Sequence, residues 1–276
     1  MRIAIVTDSS ALVPADDAER LGIGIVPVGI SLDGEPLDVS TLDVDAFFER
    51  LARGAAAATS QPSPGDFDAE YERLAAGGAD EILSVHMDGR LSGTIASAEL
   101  AARKAVIPVT VLDTGTVSFG VAVCARAAAE AAAAGGTIHE LTVFVRWLAS
   151  NLRNVFVAAA TRGGRLAPAT AWNVLEFKDA IACPLAVCAD AAEAVAAMRA
   201  TVSAQDSAIQ VAVGHGTGSV EPAADTLAEA LGRLPRVVAV ERYRVGPAVG
   251  AHTGPLTFGA FWWPAVSESY DLHLVR

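Results

Sequence analysis

The chain has 276 residues, of which 52% are hydrophobic and 19% charged, so it can bury a large core and is not a disordered chain. Its formal net charge of -12 excludes attraction of nucleic acid or an anionic membrane surface through the overall field. Because we find neither a transmembrane-length apolar run nor a signal peptide in the sequence, we expect a cytoplasmic protein. Its three cysteines do not have the spacing of metal ligands, so we expect buried thiols and no metal or cofactor.

The first half of the chain alternates between strand-like and helix-like segments. Apolar runs predict strands at 2–6, 24–32, 81–86 and 109–112. Helical spacing and capping residues predict helices near 16–20 and at 42–53, 67–76, 95–104, 117–134 and 139–151. Because strands and helices alternate, we expect parallel strands in an N-terminal α/β domain at 1–154.

The pattern changes after residue 154, where we place a domain boundary. Strands are predicted at 155–160, 184–187, 209–213, 237–245 and 261–266, and helices at 172–182 and 191–201 and after the glycine-rich loop that follows residue 213. The sequence therefore predicts a second, C-terminal α/β domain at 155–276.

The most informative turn is Leu91-Ser92-Gly93-Thr94, which connects the strand at 81–86 to the next helix. Ligands of open α/β sheets bind at such carboxyl ends of strands. Ser92 and Thr94 offer hydroxyls beside the free N–H groups of a helix start, and Gly93 allows a close approach, so this turn suits a carboxylate or a phosphate. The alternative is that Ser92 or Thr94 is only an N-cap.

Two further polar segments have equally simple alternatives. Thr7-Asp8-Ser9-Ser10 follows the first strand and is typical either of a ligand rim or of an Asx turn. Thr59-Ser60-Gln61 precedes Pro62 and Pro64, which favours hydroxyls held on a stiff backbone, although a solvated loop has the same composition.

Glycine-rich segments in the second half carry basic residues and histidines. Arg162-Gly163-Gly164-Arg165 suits a phosphate or an acidic partner, or is a solvated turn. The loop from Gly214 to Ser219 lacks the lysine of a P-loop, so it is a weak nucleotide motif, and we interpret His215 as a loop residue. His252 lies in a run of glycines and prolines without a long apolar element, which favours a functional histidine.

Taken together, these segments resemble the DegV family of fatty-acid-binding proteins. The motifs are Thr7-Asp8-Ser9-Ser10, Thr59-Ser60-Gln61-Pro62, Leu91-Ser92-Gly93-Thr94, Arg162-Gly163-Gly164-Arg165 and Gly250-Ala251-His252-Thr253-Gly254-Pro255, in this order and up to about residue 259. The resemblance implies two α/β domains, the first with a parallel Rossmann-like sheet covered by helices on both faces and the second with a mixed sheet, and a lipid tunnel between them. It also implies a bacterial carrier without catalytic residues, which presents one long-chain fatty acid to a partner fatty acid kinase that forms the acyl-phosphate.

The resemblance assigns roles to individual residues. Thr59, Ser92 and His252 match the groups that hold the fatty-acid carboxylate in similar proteins, and we add their neighbours Ser60, Gly93 and Thr94 to the predicted site. Arg165 matches a basic residue implicated in meeting the kinase.

The chain departs from the family pattern at three places. Met87-Asp88-Gly89-Arg90 stands where a serine pair is common, Leu256 replaces a glycine, and the basic run usual after Pro184 is reduced to Arg199. A serine hydrolase is the alternative function, with Ser92 as nucleophile, His252 as base and Asp8 or Asp113 orienting the histidine. Against it, Gly89-Arg90-Leu91-Ser92-Gly93 does not have the spacing of a nucleophile elbow.

Overall fold

A computed structural model describes residues 1–39, 41–158 and 172–265. Its strands are β1 (Ile3–Asp8), β2 (Gly24–Val26), β3 (Gly29–Leu32), β4 (Glu35–Leu37), β5 (Ala57–Ser60), β6 (Glu81–His86), β7 (Val109–Asp113), β8 (Arg153–Val157), β9 (Trp172–Lys178), β10 (Ile181–Cys188), β11 (Ile209–His215), β12 (Val237–Arg244) and β13 (Phe258–Pro264). Its α-helices are α1 (Ala15–Leu21), α2 (Val44–Ala52), α3 (Pro64–Ala76), α4 (Thr94–Ala102), α5 (Phe119–Ala133), α6 (Ile138–Asn151), α7 (Ala191–Ser203), α8 (Glu221–Gly232) and α9 (Pro247–Thr253). Short 3-10 helices cover Ser9–Ala11 and Gly218–Val220.

The described residues form two compact units that are discontinuous in sequence. The first unit contains residues 1–29 and 60–151, and the second contains the described residues of 30–59 together with residues 152–158 and 172–265. The main division, near residue 152, lies close to the predicted boundary, but residues 30–59 group with the second unit rather than with the first.

The first unit is built on a parallel sheet with the strand order β2-β1-β6-β7. On one face, Ala4, Val6 and Ile82 form a core with side chains of α3 and α4. Alternate residues of a strand point to opposite faces of the sheet. Helix α5 packs against β1 and β6, and helix α6 packs against α5. The parallel sheet and its helices agree with the predicted α/β class.

The second unit contains a six-stranded sheet with the order β10-β9-β8-β13-β11-β12. Only β11 and β12 are parallel, and the other neighbouring pairs are antiparallel, so the sheet is mixed as expected. Helices α7 and α8 cover its core with Val195, Met198, Leu227 and Leu231. A small sheet with the order β4-β3-β5 belongs mainly to the same unit.

Three local predictions were wrong. The helix predicted at 172–182 is instead strand β9 and the start of strand β10, which form an antiparallel hairpin. The strand predicted at 24–32 is two strands, interrupted at Pro27 and Val28, and they belong to different sheets. His215, interpreted as a loop residue, is instead the last residue of strand β11. His252 lies in the last turn of the short helix α9, which begins with Pro247 and ends before Gly254.

Candidate functional site

Thr59 and His252 form a hydrogen-bonded pair in the second unit. The Oγ1 atom of Thr59 lies 2.8 Å from Nε2 of His252, although the two residues are 193 positions apart in the chain. Thr59 is half-buried on β5 and His252 is exposed on α9. A hydroxyl and an imidazole at this distance share one hydrogen bond, and a hydroxyl that accepts from the imidazole keeps its own O–H to donate to a ligand oxygen.

The predicted turn from strand to helix is present in the first unit, where β6 is followed by α4. The Oγ atom of Ser92 lies 2.8 Å from Oγ1 of Thr94 and accepts a hydrogen bond of 3.3 Å from the Thr94 backbone N–H. Gly93, not Ser92, is the N-cap residue of α4, and it makes no side-chain cap. Ser92 therefore precedes the N-cap position, but its hydroxyl accepts from the first N–H group of α4, as in the capping alternative.

Gln61 approaches this turn closely. Its Nε2 atom donates to Oγ of Ser97 at 3.2 Å, and its Oε1 atom would lie only 1.9 Å from a Cβ atom on Gly93. Glycine at position 93 therefore leaves room for the Gln61 side chain. Gln61 was part of the stiff polar segment in the sequence, but nothing there indicated that it meets the turn at residue 93.

Ser60 points away from Thr59, because neighbouring residues of a strand face opposite sides. Its Oγ atom packs against Gly29, where a Cβ atom would lie 2.3 Å away. Ser60 is exposed, and its role as a ligand group stays a prediction. Arg162 and Arg165 lie outside the described residues.

A buried chain of hydrogen bonds in the first unit was not expected from the sequence. On the α3 face of the sheet, Nδ1 of His86 donates to Oδ2 of Asp8 at 2.8 Å, and Nε2 of His86 lies 2.7 Å from Oγ of Ser84. The Tyr71 hydroxyl donates to the same Ser84 oxygen at 2.8 Å, and the backbone and hydroxyl of Ser10 both donate to Oδ1 of Asp8. The bond from Ser10 N–H to Asp8 forms the Asx turn that the sequence offered as the simple alternative.

These contacts determine the charge of Asp8. Burial opposes its ionisation, but the hydrogen bond and charge of His86 and the two bonds from Ser10 lower the pKa of the carboxyl below its usual range. Burial raises the pKa of Tyr71 to about 12, so the phenol remains a neutral donor.

Ser84, His86 and Asp8 have the order of contacts found in a catalytic triad, but all three are almost completely buried, with exposures of 0%, 0% and 1%. A substrate has no access to Ser84, so we infer that these hydrogen bonds stabilise the sheet and have no catalytic role. Asp113, the other proposed orienting residue, accepts hydrogen bonds from the backbone of Gly89 and Gly115. Asp8 and Asp113 thus both accept hydrogen bonds from other groups of the first unit. This disfavours the serine hydrolase alternative, in which one of them orients His252.

Arg90 and Asp88 form an ion pair in the turn before Ser92. The Arg90 Nε atom lies 2.9 Å from Oδ1 of Asp88 and its Nη2 atom lies 2.6 Å from Oδ2. The hydrogen bond from Arg90 lowers the pKa of Asp88, which is buried, whereas the Arg90 side chain is 59% exposed. This turn therefore displays a fixed guanidinium two residues from Ser92.

His215 in the second unit lies at the carboxyl end of β11 beside two arginines. Its Nδ1 atom is 3.2 Å from Nη2 of Arg242, and its Nε2 atom is 3.1 Å from Nη1 of Arg244. Burial, and then the charge of Arg244, lower the pKa of the imidazole, so it is neutral near pH 7. The arginines also pair with Asp225 and Asp45, so these charges are largely balanced.

The described ranges contain neither a recognisable metal site nor a helix suited to span a membrane. Among residues 1–39, 41–158 and 172–265, no cluster of histidine, cysteine or acidic side chains has the arrangement of a metal site. The same residues include no helix with the length and apolar character needed to cross a bilayer. Cys124 and Cys188 are buried as expected, whereas Cys183 is half-buried.

The described architecture, a parallel α/β sheet and a mixed α/β sheet with polar turns at strand ends, has counterparts among known proteins. A model of the DegV family, described as uncharacterised proteins, matches residues 2–265. A DegV domain-containing protein of Streptomyces coelicolor is 34% identical over 273 residues, which cover 93% of this chain and 96% of that protein.

Solved structures of DegV family proteins are similar to this chain as well. A DegV family protein of Thermus thermophilus, described for its fatty acid binding, superimposes with a TM-score of 0.85 at 30% identity, covering 96% of this chain and all (100%) of that one. A Thermotoga maritima protein whose structure reveals a fatty acid binding function superimposes with a TM-score of 0.86 at 25% identity, with the same coverage.

The chain is therefore an α/β protein with the fold of known fatty-acid-binding proteins. It belongs to the DegV family, which confirms the resemblance seen in the sequence.

Proposed function

We propose that this protein binds a long-chain fatty acid and holds its carboxylate with Thr59, Ser92 and His252. The observation that carries the proposal is the 2.8 Å contact between Thr59 and His252, which brings two of the three predicted groups together. Fatty acid binding by the Thermus and Thermotoga relatives supports the same ligand class.

The polar groups suit a carboxylate because each hydrogen-bonded pair keeps a hydroxyl hydrogen that can donate to it. A carboxylate removed from water needs several donors to offset its lost hydration. In the proposed complex His252 donates through Nε2 to Thr59, which leaves the Thr59 hydroxyl hydrogen for the carboxylate. Ser92 and Thr94 also share one hydrogen bond, so this pair leaves one hydroxyl hydrogen for the ligand, and the backbone at Gly93 belongs to the same turn. In the proposed complex the acyl tail contributes about 0.8 kcal/mol per buried methylene, so a long chain is retained tightly.

We further propose that the protein is a carrier, which presents the bound carboxylate to a partner fatty acid kinase for conversion to an acyl-phosphate. The exposure of His252 supports this, because the carboxylate must be reachable from outside for phosphorylation. In this proposal Arg165 contributes to kinase binding, and the carrier supplies no catalytic group.

The direct test is fatty acid affinity of the Thr59→Val variant, measured by displacement of a fluorescent fatty acid. A hydrogen bond to a charged group contributes about 1.5–3 kcal/mol, so the dissociation constant is expected to rise roughly 10- to 100-fold. Thr226→Val is the matched control, because the Thr226 hydroxyl donates within α8 to the carbonyl of Pro222. Equal affinities of Thr59→Val and Thr226→Val would remove Thr59 from the site.

The kinase step is tested separately with Arg165→Ala. We expect unchanged fatty acid affinity but slower ATP-dependent formation of acyl-phosphate when a fatty acid kinase is added. Full phosphorylation of the bound fatty acid by the variant would show that Arg165 has no part in meeting the kinase.

A further inference from the structure

Helix α9, which carries His252, packs against helix α2 in the second unit. We propose that the contact between Gly250 of α9 and Phe48 of α2 positions His252 against Thr59, so that Gly250 and Phe48 are positioning residues of the carboxylate site. This inference rests on the proposed function, and it concerns residues that do not themselves bind the ligand.

Gly250 is required by the closeness of this packing. A Cβ atom at position 250 would lie 2.5 Å from both Cε1 and Cζ of Phe48, closer than real carbon atoms approach. Glycine is otherwise the least favourable helix residue apart from proline. Its presence within a seven-residue helix therefore reflects the need for contact between the helix backbone and the ring.

The Phe48 ring cannot easily move to make room. It is 1% exposed and meets the edge of the Phe47 ring at a centroid distance of 5.5 Å. The Arg244 guanidinium lies 5.9 Å above its centroid and is itself bonded to His215 and Asp45. Since the ring is confined on several sides, an added methyl group at position 250 must displace α9 instead.

A displacement of α9 reaches the carboxylate site directly. Gly250 and His252 are two residues apart on one short helix, so they move as a unit. Thr59 and Phe48 belong to the same segment, residues 30–59, which therefore contacts α9 at two points. A shift of about 1 Å between α9 and this segment would lengthen the Thr59–His252 contact beyond hydrogen-bonding distance.

The test compares two glycine-to-alanine variants for fatty acid affinity. Gly250→Ala is expected to bind at least about 10-fold more weakly than the unmodified protein, in line with the loss of one hydrogen bond to a charged ligand. Gly232→Ala is the control, because a Cβ atom there would lie 3.6 Å from Val240, an ordinary contact distance. Wild-type affinity in Gly250→Ala would overturn the proposal.

A compensating substitution separates positioning from general damage to the fold. Phe48→Leu removes the part of the ring that an alanine at position 250 would meet, so the double variant Gly250→Ala/Phe48→Leu is expected to recover most of the lost affinity. If the double variant binds more weakly than Gly250→Ala alone, the two residues do not act through their contact and the proposal fails. The double variant also provides a folded protein for this comparison if Gly250→Ala does not fold.

The imidazole signal of His252 provides a measurement that does not depend on the ligand. In proton–nitrogen NMR spectra of the protein without fatty acid, Gly250→Ala should shift the His252 Nε2 resonance and the double variant should restore it. A fatty-acid-free protein that shows this shift but never binds fatty acid would refute the proposed function while supporting the positioning. An unshifted resonance would refute the positioning alone.

Discussion

At the scale of single residues, the type of each polar group was predictable but its partner was not. His252 stood out because a histidine among glycines and prolines lacks an obvious core role, whereas Thr59 was assigned to the site through the family resemblance. Their contact spans 193 positions, and no local pattern encodes such a pairing. His86 was overlooked for a related reason, since a histidine at the end of an apolar strand gives no sign of a buried carboxylate opposite it.

Asp8 should contribute to stability in a pH-dependent way. Its folded pKa is lowered from 3.8, so its contribution is present above pH 3.8 and is lost as the pH falls through the folded value. Asp8→Asn removes the buried charge opposite His86 and places an amide N–H group against existing donors. We expect a loss of about 3 kcal/mol in the free energy of unfolding at pH 7, measured with urea.

The comparison of Asp8→Asn with the unmodified protein at several pH values checks the sign of this pH dependence. The difference in the free energy of unfolding between the two proteins should shrink as the pH falls below 3.8, because the wild-type carboxyl is then increasingly protonated. Asp206→Asn is the control, since Asp206 is fully exposed and 3.9 Å from Arg236. A constant difference across the pH range would mean that the Asp8 charge does not account for the loss.

At the scale of elements, the wrong prediction that covers the most residues is the helix at 172–182, where the structure has the hairpin of β9 and β10. Glu176, Phe177 and Lys178 lie in a strand because β9 pairs with both β8 and β10, so tertiary pairing overrides the local preference. The turn between the strands consists of Asp179 and Ala180, with φ values of 51° and 64°. Because this turn lacks the glycine typical of two-residue hairpin turns, no hairpin was predicted here.

The same turn predicts a stabilising substitution. Ala180 has a left-handed backbone conformation that costs a non-glycine residue about 1 kcal/mol, so Ala180→Gly should raise the free energy of unfolding by about that amount. Ala182→Gly is a matched control in β10, where glycine should be destabilising by about 0.5–1 kcal/mol. Thermal or urea unfolding of the two variants should therefore change in opposite directions, and a destabilised Ala180→Gly would contradict the assigned turn.

At the scale of the whole molecule, the parallel sheet of the first unit followed from the alternation of strands and helices. The mixed sheet of the second unit was implied by the family resemblance and not by the residues, because β13 at the end of the chain pairs between β8 and β11. The assignment of residues 30–59 to the second unit was also not predictable. It depends on packing such as that of Phe48 on Gly250, which joins distant parts of the sequence.

The central claim, that the protein carries one long-chain fatty acid, is tested most directly by what the purified protein contains. Denaturing extraction followed by mass spectrometry should release fatty acid in about a 1:1 ratio to protein, and His252→Ala should retain clearly less. A stable, folded protein that contains no fatty acid and takes up none when it is added would contradict the account.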